Sequence, residues 1–374
     1  MAGQLSVTVL TGSPGNDGTR VFEQIIQQSS DLRLTAIVPK RSKRKNRSRG
    51  PVPMIPTTEH LVRLGEGCAC CTVRGDLMAK VQRIADEKSA EHILIHTSPH
   101  ADLQTLAKTF TVADQSGSVL SDVAQIGSLV AVVDAGSFLD TLQGANARKL
   151  FERLELANVV LVEGGASVSA TLVEQVLGTI KAINASARVV HAQEGGLSLS
   201  SLHADQPFDL DLAEERASGG GGLAAQVAVH ASTIKFSFQA RRPFHPSRLH
   251  AFLGEPSSGV LRVKGTFWVA SRPDFACNLD VAGGSRSMAP EGMWWATVSE
   301  QERPKSPDFQ RYLESMWHPE FGDRHQNLSV IGTGVTEGDL RDRLEACLLT
   351  DEEVKAPEQW ATLADPFPWP SASA

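Results

Sequence analysis

A chain of 374 residues is too long for one ordinary hydrophobic core, so two domains are expected. Hydrophobic and charged contents of 41% and 21% are globular values, and a formal net charge of -7 argues against general attraction to nucleic acid or membrane surfaces. No apolar run approaches the ~18 residues of a membrane span, the first residues lack the basic and apolar regions of a signal peptide, and five cysteines with three of them clustered do not make a disulfide framework, so the cytoplasm is the expected compartment.

Along the first half, two signals alternate. Short β-branched runs at 5–10, 34–38, 92–95, 129–133, 159–162 and 188–190 predict strands, and segments of helical spacing at 21–27, 77–85 and 172–183 predict helices. The pattern is that of an α/β fold, a mostly parallel sheet with helices on both faces. Ligands of such sheets bind outside the carboxyl ends of the strands, where four unusual loops fall, at 12–20, 40–49, 98–102 and 163–166. From 192 to 222 periodicity is poor, and the stretch ends in Ser218-Gly219-Gly220-Gly221-Gly222, a flexible composition. A first domain is therefore expected over 1–200, a flexible linker over 201–229, a smaller α+β domain over 230–355 and a mobile tail over 356–374. In the second domain strands are expected at 234–239, 260–269, 277–281, 293–297 and 328–331, with helices at 245–253 and 337–349.

Three stretches carry chemistry. The first strand runs into Thr11-Gly12-Ser13-Pro14-Gly15-Asn16-Asp17-Gly18-Thr19-Arg20 and then a helix, the layout in which backbone N–H groups and a helix dipole face a phosphate. A working phosphate loop reads Gly-x-x-x-x-Gly-Lys-Ser/Thr. Counted from Gly12, Asp17 stands where the second glycine belongs and Gly18 where the lysine belongs, while Thr19 matches. Gly12, Gly15, Gly18 and Thr19 are the candidate phosphate contacts, against the alternative of a glycine-rich turn that binds nothing tightly. Residues 40–49 hold seven basic side chains in ten, which reads as a solvated loop, with closure over an anion near Gly15 as the functional alternative. In the third stretch, Gly65-Glu66-Gly67-Cys68-Ala69-Cys70-Cys71 crowds three thiols into four positions. Thiolates are soft ligands suited to zinc, and a closed zinc site takes four donors. Cys68, Cys70 and Cys71 are the candidate metal ligands, with Glu66 or His60, and Glu59 beside it, nearest in sequence for the fourth place. His96 and His100 are further candidates. Cys277 and Cys347 are expected in the core.

The run Leu64-Gly65-Glu66-Gly67-Cys68-Ala69-Cys70-Cys71-Thr72-Val73-Arg74-Gly75-Asp76-Leu77 resembles the signature of the CobW-type P-loop GTPases, a family of metallochaperones, cobalamin-synthesis proteins and nitrile hydratase activators. The second half is similar to the CobW C-terminal domain at Arg242-Pro243-Phe244-His245-Pro246, Leu261-Arg262-Val263-Lys264-Gly265 and Cys347-Leu348-Leu349-Thr350-Asp351-Glu352-Glu353. Trp294-Trp295 and Asp323-Arg324-His325-Gln326 bring it nearest to nitrile hydratase activator-like members. The resemblance implies a P-loop NTPase-like domain, GTP binding and slow hydrolysis with Mg²⁺, and zinc or cobalt on the cysteine motif. This chain departs from the nucleotide motifs: the lysine is missing, His96-Thr97-Ser98-Pro99 replaces the acid-led Mg²⁺ motif, and Glu163-Gly164-Gly165-Ala166 replaces the guanine reader Asn-Lys-x-Asp. Phosphoryl transfer is positioning and electrostatics, so these losses together predict that GTP turnover is gone. The expected role is a zinc metallochaperone or activator docking on a client metalloprotein, with a homodimer left open as an assembly. A GTPase with an atypical loop that uses the basic run, and an interaction scaffold with vestigial cysteines, stand as the alternatives.

Overall fold

The computed structural model describes residues 4–29, 33–39, 61–64, 72–113, 117, 119–164, 168–192, 197–218, 233–255 and 259–369. Contacts divide the chain into two units, one of residues 1–141 with 149–217, the other of 142–148 with 218–374.

The first unit follows the alternation of its sequence. Its elements are β1 (Leu5–Thr11), α1 (Thr19–Gln28), β2 (Leu34–Pro39), β3 (Leu61–Leu64), α2 (Thr72–Glu87), β4 (His92–Thr97), α3 (Leu103–Thr111), β5 (Ala124–Asp134), α4 (Phe138–Gln143), α5 (Ala147–Leu156), β6 (Val159–Glu163), α6 (Ala170–Ile183), β7 (Arg188–His191) and α7 (Leu210–Ser218). The strands form a seven-stranded sheet in the order β3-β2-β4-β1-β5-β6-β7. Every pairing is parallel. Parallel neighbours need long crossovers, which helices provide except between β2 and β3, whose connection lies outside the described residues. Strands covered on both faces read as unbroken apolar runs, and Val130, Ala131, Val132 and Val133 of β5 are all buried. Helix starts are set by side-chain caps: Asp102 accepts from the Thr105 N–H at 3.0 Å, and Ser169 from the Leu172 N–H at 3.2 Å.

Winding reverses at β1, which has β4 on one side and β5 on the other. A crevice therefore opens outside the carboxyl ends of these strands, the general ligand position of such sheets. The α1 face is closed by Leu10, Phe22, Ile25, Leu94, Val130 and Leu161, joined by Leu197, Leu199 and Leu202. The last three show that chain beyond β7 completes this core. Residues 201–218, expected within the linker, hold buried Leu202 and Ala213 and the helix α7, so this part of the stretch is structured where a linker was expected. The glycine run at 219–222 lies outside the described residues.

The second unit comprises β8 (Thr233–Ala240), α8 (Pro246–Gly254), β9 (Val260–Phe267), β10 (Phe275–Ala282), β11 (Ser285–Met293), α9 (Pro307–Met316), β12 (Gln326–Thr333), α10 (Glu337–Glu345) and α11 (Asp351–Val354). Its five strands are antiparallel in the order β11-β10-β9-β12-β8, as the expected α+β class requires. Phe236, Phe238, Val263, Leu279 and Val330 from the sheet meet Leu249 of α8 and Leu340 of α10 in one core. Strand 293–297 of the sequence reading is corrected: β11 ends at Met293, and Trp295–Thr297 is a 3-10 turn whose Trp295 and Ala296 N–H groups are bonded by the Asp323 carboxylate at 2.9 and 2.8 Å. Residues 356–369 also differ from the expected mobile tail. Phe367 is buried in the core, and Asp365 accepts from Ser271 Oγ at 2.7 Å and from Trp369 Nε1 at 2.8 Å. Two aromatic anchors and a bonded carboxylate hold a segment that proline content alone would leave loose.

Candidate functional site

The crevice is built around the loop between β1 and α1. Gly18 takes the left-handed conformation at φ 73° as the helix N-cap, and no side chain caps α1 from the usual position. The loop turns back on its own first residue: a Cβ at Gly12 would stand 2.2 Å from the Asp17 carbonyl carbon, so only hydrogen fits there. Its tip is closed by the Asn16 N–H donating to the Ser13 carbonyl at 2.9 Å.

Two of the loop amides are bonded by the loop's own side chains. Gly18 N–H donates to Asn16 Oδ1 at 3.1 Å, and Thr19 N–H donates to Asp17 Oδ1 at 3.0 Å. An internal carboxylate thus sits at the helix start, where the dipole favours negative charge. Other elements grip the same loop. Asn16 Nδ2 donates to Glu163 Oε2 at 2.7 Å from the end of β6, and His96 Nε2 meets the Asp17 carbonyl at 2.9 Å from the end of β4. A carbonyl only accepts, so this contact requires the hydrogen on Nε2 of His96. Phe22 of α1 stacks on the His96 ring at a centroid distance of 4.9 Å. From α5, Arg153 donates its Nε–H to the Gly12 carbonyl at 3.0 Å and its Nη2 to the Ala101 carbonyl at 3.3 Å. The residue is 2% exposed, and burial lowers its pKa while nearby Glu152 opposes that. At the end of β5, Asp134 Oδ2 accepts from the Ser137 N–H and hydroxyl, which leaves that acid engaged in a turn.

Of the residues singled out in the sequence, Gly12, Gly15, Gly18, Thr19, His96 and Glu163 converge at this edge, whereas His100 makes its bond locally, its N–H donating to Ser98 Oγ at 3.2 Å. Asn16 and Arg153 are the participants that motif counting did not assign, and Asp17, counted only as the residue at the second-glycine position, bonds the Thr19 N–H. Cys68, Cys70, Cys71, Glu66, His60, Glu59 and the basic stretch 40–49 lie outside the described residues. Among the described residues no group of three His, Cys, Asp or Glu side chains is placed to hold a metal ion. β3 ends at Leu64, just before the cysteine stretch, and runs parallel to β2, so its carboxyl end is on the same edge of the sheet. Cys277 and Cys347 are buried in the second unit, and burial pushes their thiols up to about 12 and about 11.

The model of the CobW/HypB/UreG nucleotide-binding domain matches residues 6–191, and that of the cobalamin synthesis protein CobW C-terminal domain matches residues 234–348. The chain belongs to the CobW family. Among its CobW relatives, a protein of Dictyostelium discoideum named zinc-regulated GTPase metalloprotein activator 1 is 29% identical, across 97% of this chain and 84% of its own. A zinc chaperone of Mycobacterium tuberculosis is 28% identical, across 98% of this chain and 91% of its own. Among solved structures, the Zn(II)-bound YjiA GTPase of E. coli is similar over 93% of this chain and all of its own, at 16% identity and a TM-score of 0.40. Among the described residues of this CobW protein, no helix is long and apolar enough to cross a membrane.

Proposed function

We propose that this CobW protein carries zinc as cargo to a client metalloprotein in the cytoplasm, and that its nucleotide domain has given up binding and hydrolysing GTP. Cys68, Cys70 and Cys71 are the proposed zinc donors, as soft thiolates in a reducing compartment, with Glu66 or His60 completing a four-donor set. The names of the relatives support the zinc and client part of the reading.

The loss of GTP rests on one observation: the N–H groups of Gly18 and Thr19, which a phosphate would need, are bonded to Asn16 and Asp17 of the same loop. The Asp17 carboxylate would also repel a triphosphate, and no lysine stands at Gly18 to offset it. His96 presents an imidazole N–H where a Mg²⁺-facing acid would be required, and Glu163 is engaged with Asn16. These residues do not fit a GTP–Mg²⁺ complex, and no step of the proposed role passes through one.

Two titrations test the reading. Zinc added to the purified protein is expected to bind at one high-affinity equivalent that a Cys68/Cys70/Cys71→Ser protein lacks. Equal stoichiometry in both would end the zinc assignment. GTP with Mg²⁺ is expected to give no binding heat and no turnover with wild type, while Asp17→Gly combined with Gly18→Lys gains measurable affinity. Turnover by the wild-type protein above background would restore the GTPase reading instead.

A further inference from the structure

In a nucleotide switch, the γ-phosphate and its Mg²⁺ hold the loops around the site, and hydrolysis lets them go. Here the corresponding positions are joined by direct protein bonds. Resting on the loss of nucleotide binding proposed above, we infer that His96 and Glu163 are permanent struts that fix the phosphate loop in a single state, in the place of a ligand that comes and goes.

The geometry behind this is two-sided. β4 lies next to β1 on one side, and β6 lies beyond β5 on the other. From the first side the His96 Nε2–H reaches the Asp17 carbonyl at 2.9 Å, with its ring held against Phe22. From the second, Glu163 Oε2 accepts from Asn16 Nδ2 at 2.7 Å. Asn16 and Asp17 are the same two residues whose side-chain oxygens bond the Gly18 and Thr19 N–H groups. Each strut thus holds a residue that in turn fills the cradle, and Arg153 holds the loop's first carbonyl. The residues that replaced the Mg²⁺ acid and the guanine reader have become ties on the loop. The consequence is a domain whose β4 end and loop keep one arrangement whatever the GTP concentration, so cargo handling is not gated by nucleotide.

Amide hydrogen exchange on the full chain tests it. His96→Phe keeps a ring against Phe22 but removes the donor, and Glu163→Ala removes the second strut. Each is expected to speed exchange in the 12–19 segment about tenfold, the loss of roughly one hydrogen bond. His96→Gln, whose amide N–H has a similar reach, restores the slow rate. GTP with Mg²⁺ leaves wild-type exchange unchanged. Equal rates in wild type, His96→Phe and Glu163→Ala, without any effect of GTP, overturn the struts alone. Protection of the loop by GTP in the wild-type protein overturns both the struts and the proposed loss of nucleotide binding.

Discussion

Arg153→Met is expected to lower the stability of the first unit by about 3 kcal/mol, and Arg153→Lys by nearly as much. Arg153 is 2% exposed, and its guanidinium donates to the carbonyls of Gly12, Ala101 and Lys149. Lys149 is one turn back on the same helix, so the connections that hold separate elements together are those to Gly12 and Ala101. Charge-assisted hydrogen bonds are worth about 1.5–3 kcal/mol each, and methionine supplies neither. A lysine ammonium is a point charge without the planar fork, and it cannot serve carbonyls on two loops at once. For a unit of this size the loss corresponds to a fall of roughly 6–12 °C in its thermal midpoint. The midpoint is read by circular dichroism, and an unchanged value for Arg153→Met would show that the guanidinium does not organise the loop.

Acid is expected to weaken the same unit through His92. This residue opens β4 with 6% of its surface exposed, its Nε2 lies 3.0 Å from Thr8 Oγ1, and its ring stacks on His203 at 5.8 Å. Burial, and then the proximity of His203, push its pKa down to about 4 from an ordinary 6.5. The folded chain thus holds His92 neutral while the unfolded chain protonates it. Between those two values the unfolded state binds more protons, so stability falls as pH falls from 6.5 to 4 and the His92 contribution levels off below that. The full drop from this group amounts to about 3 kcal/mol. His92→Gln, which can still bond Thr8, should flatten the difference across this window in urea titrations at several pH values. Parallel curves for the two proteins would mean that His92 is not the acid-sensitive group.

Much of the architecture was written in local pattern. Five of the six apolar runs, those of β1, β2, β4, β5 and β6, sit in the interior of a sheet covered on both faces, where burial demands such runs, while the sixth became β7, a half-buried edge. The two strands that went unread are edges. β3 spans only four residues, and β11 is largely exposed and includes Pro290, so its strand geometry comes from pairing with β10 rather than from its own composition. α9 buries only Leu313, but Phe309, Tyr312, Leu313 and Met316 stand at helical spacing after the readable start Ser306-Pro307, a signal that the sequence carries and that went unread. At the site, the missing lysine and the altered acids were plain from counting residues. The ties between Asn16 and Glu163 and between Asp17 and His96 were not, because sequence spacing carries no information about contacts across 147 and 79 positions. Arg153 did leave a signal: it stands among buried Leu150, Phe151 and Leu154 on α5, a cation on the apolar side of a helix.

The two sulfurs sunk in the second unit have a practical use. Held as neutral thiols by their burial, Cys277 and Cys347 offer no nucleophile to a maleimide at neutral pH. Any reagent uptake by the native chain is then assigned to Cys68, Cys70 or Cys71. Labelling that a chelator switches on and added zinc switches off would turn these three positions into their own occupancy gauge.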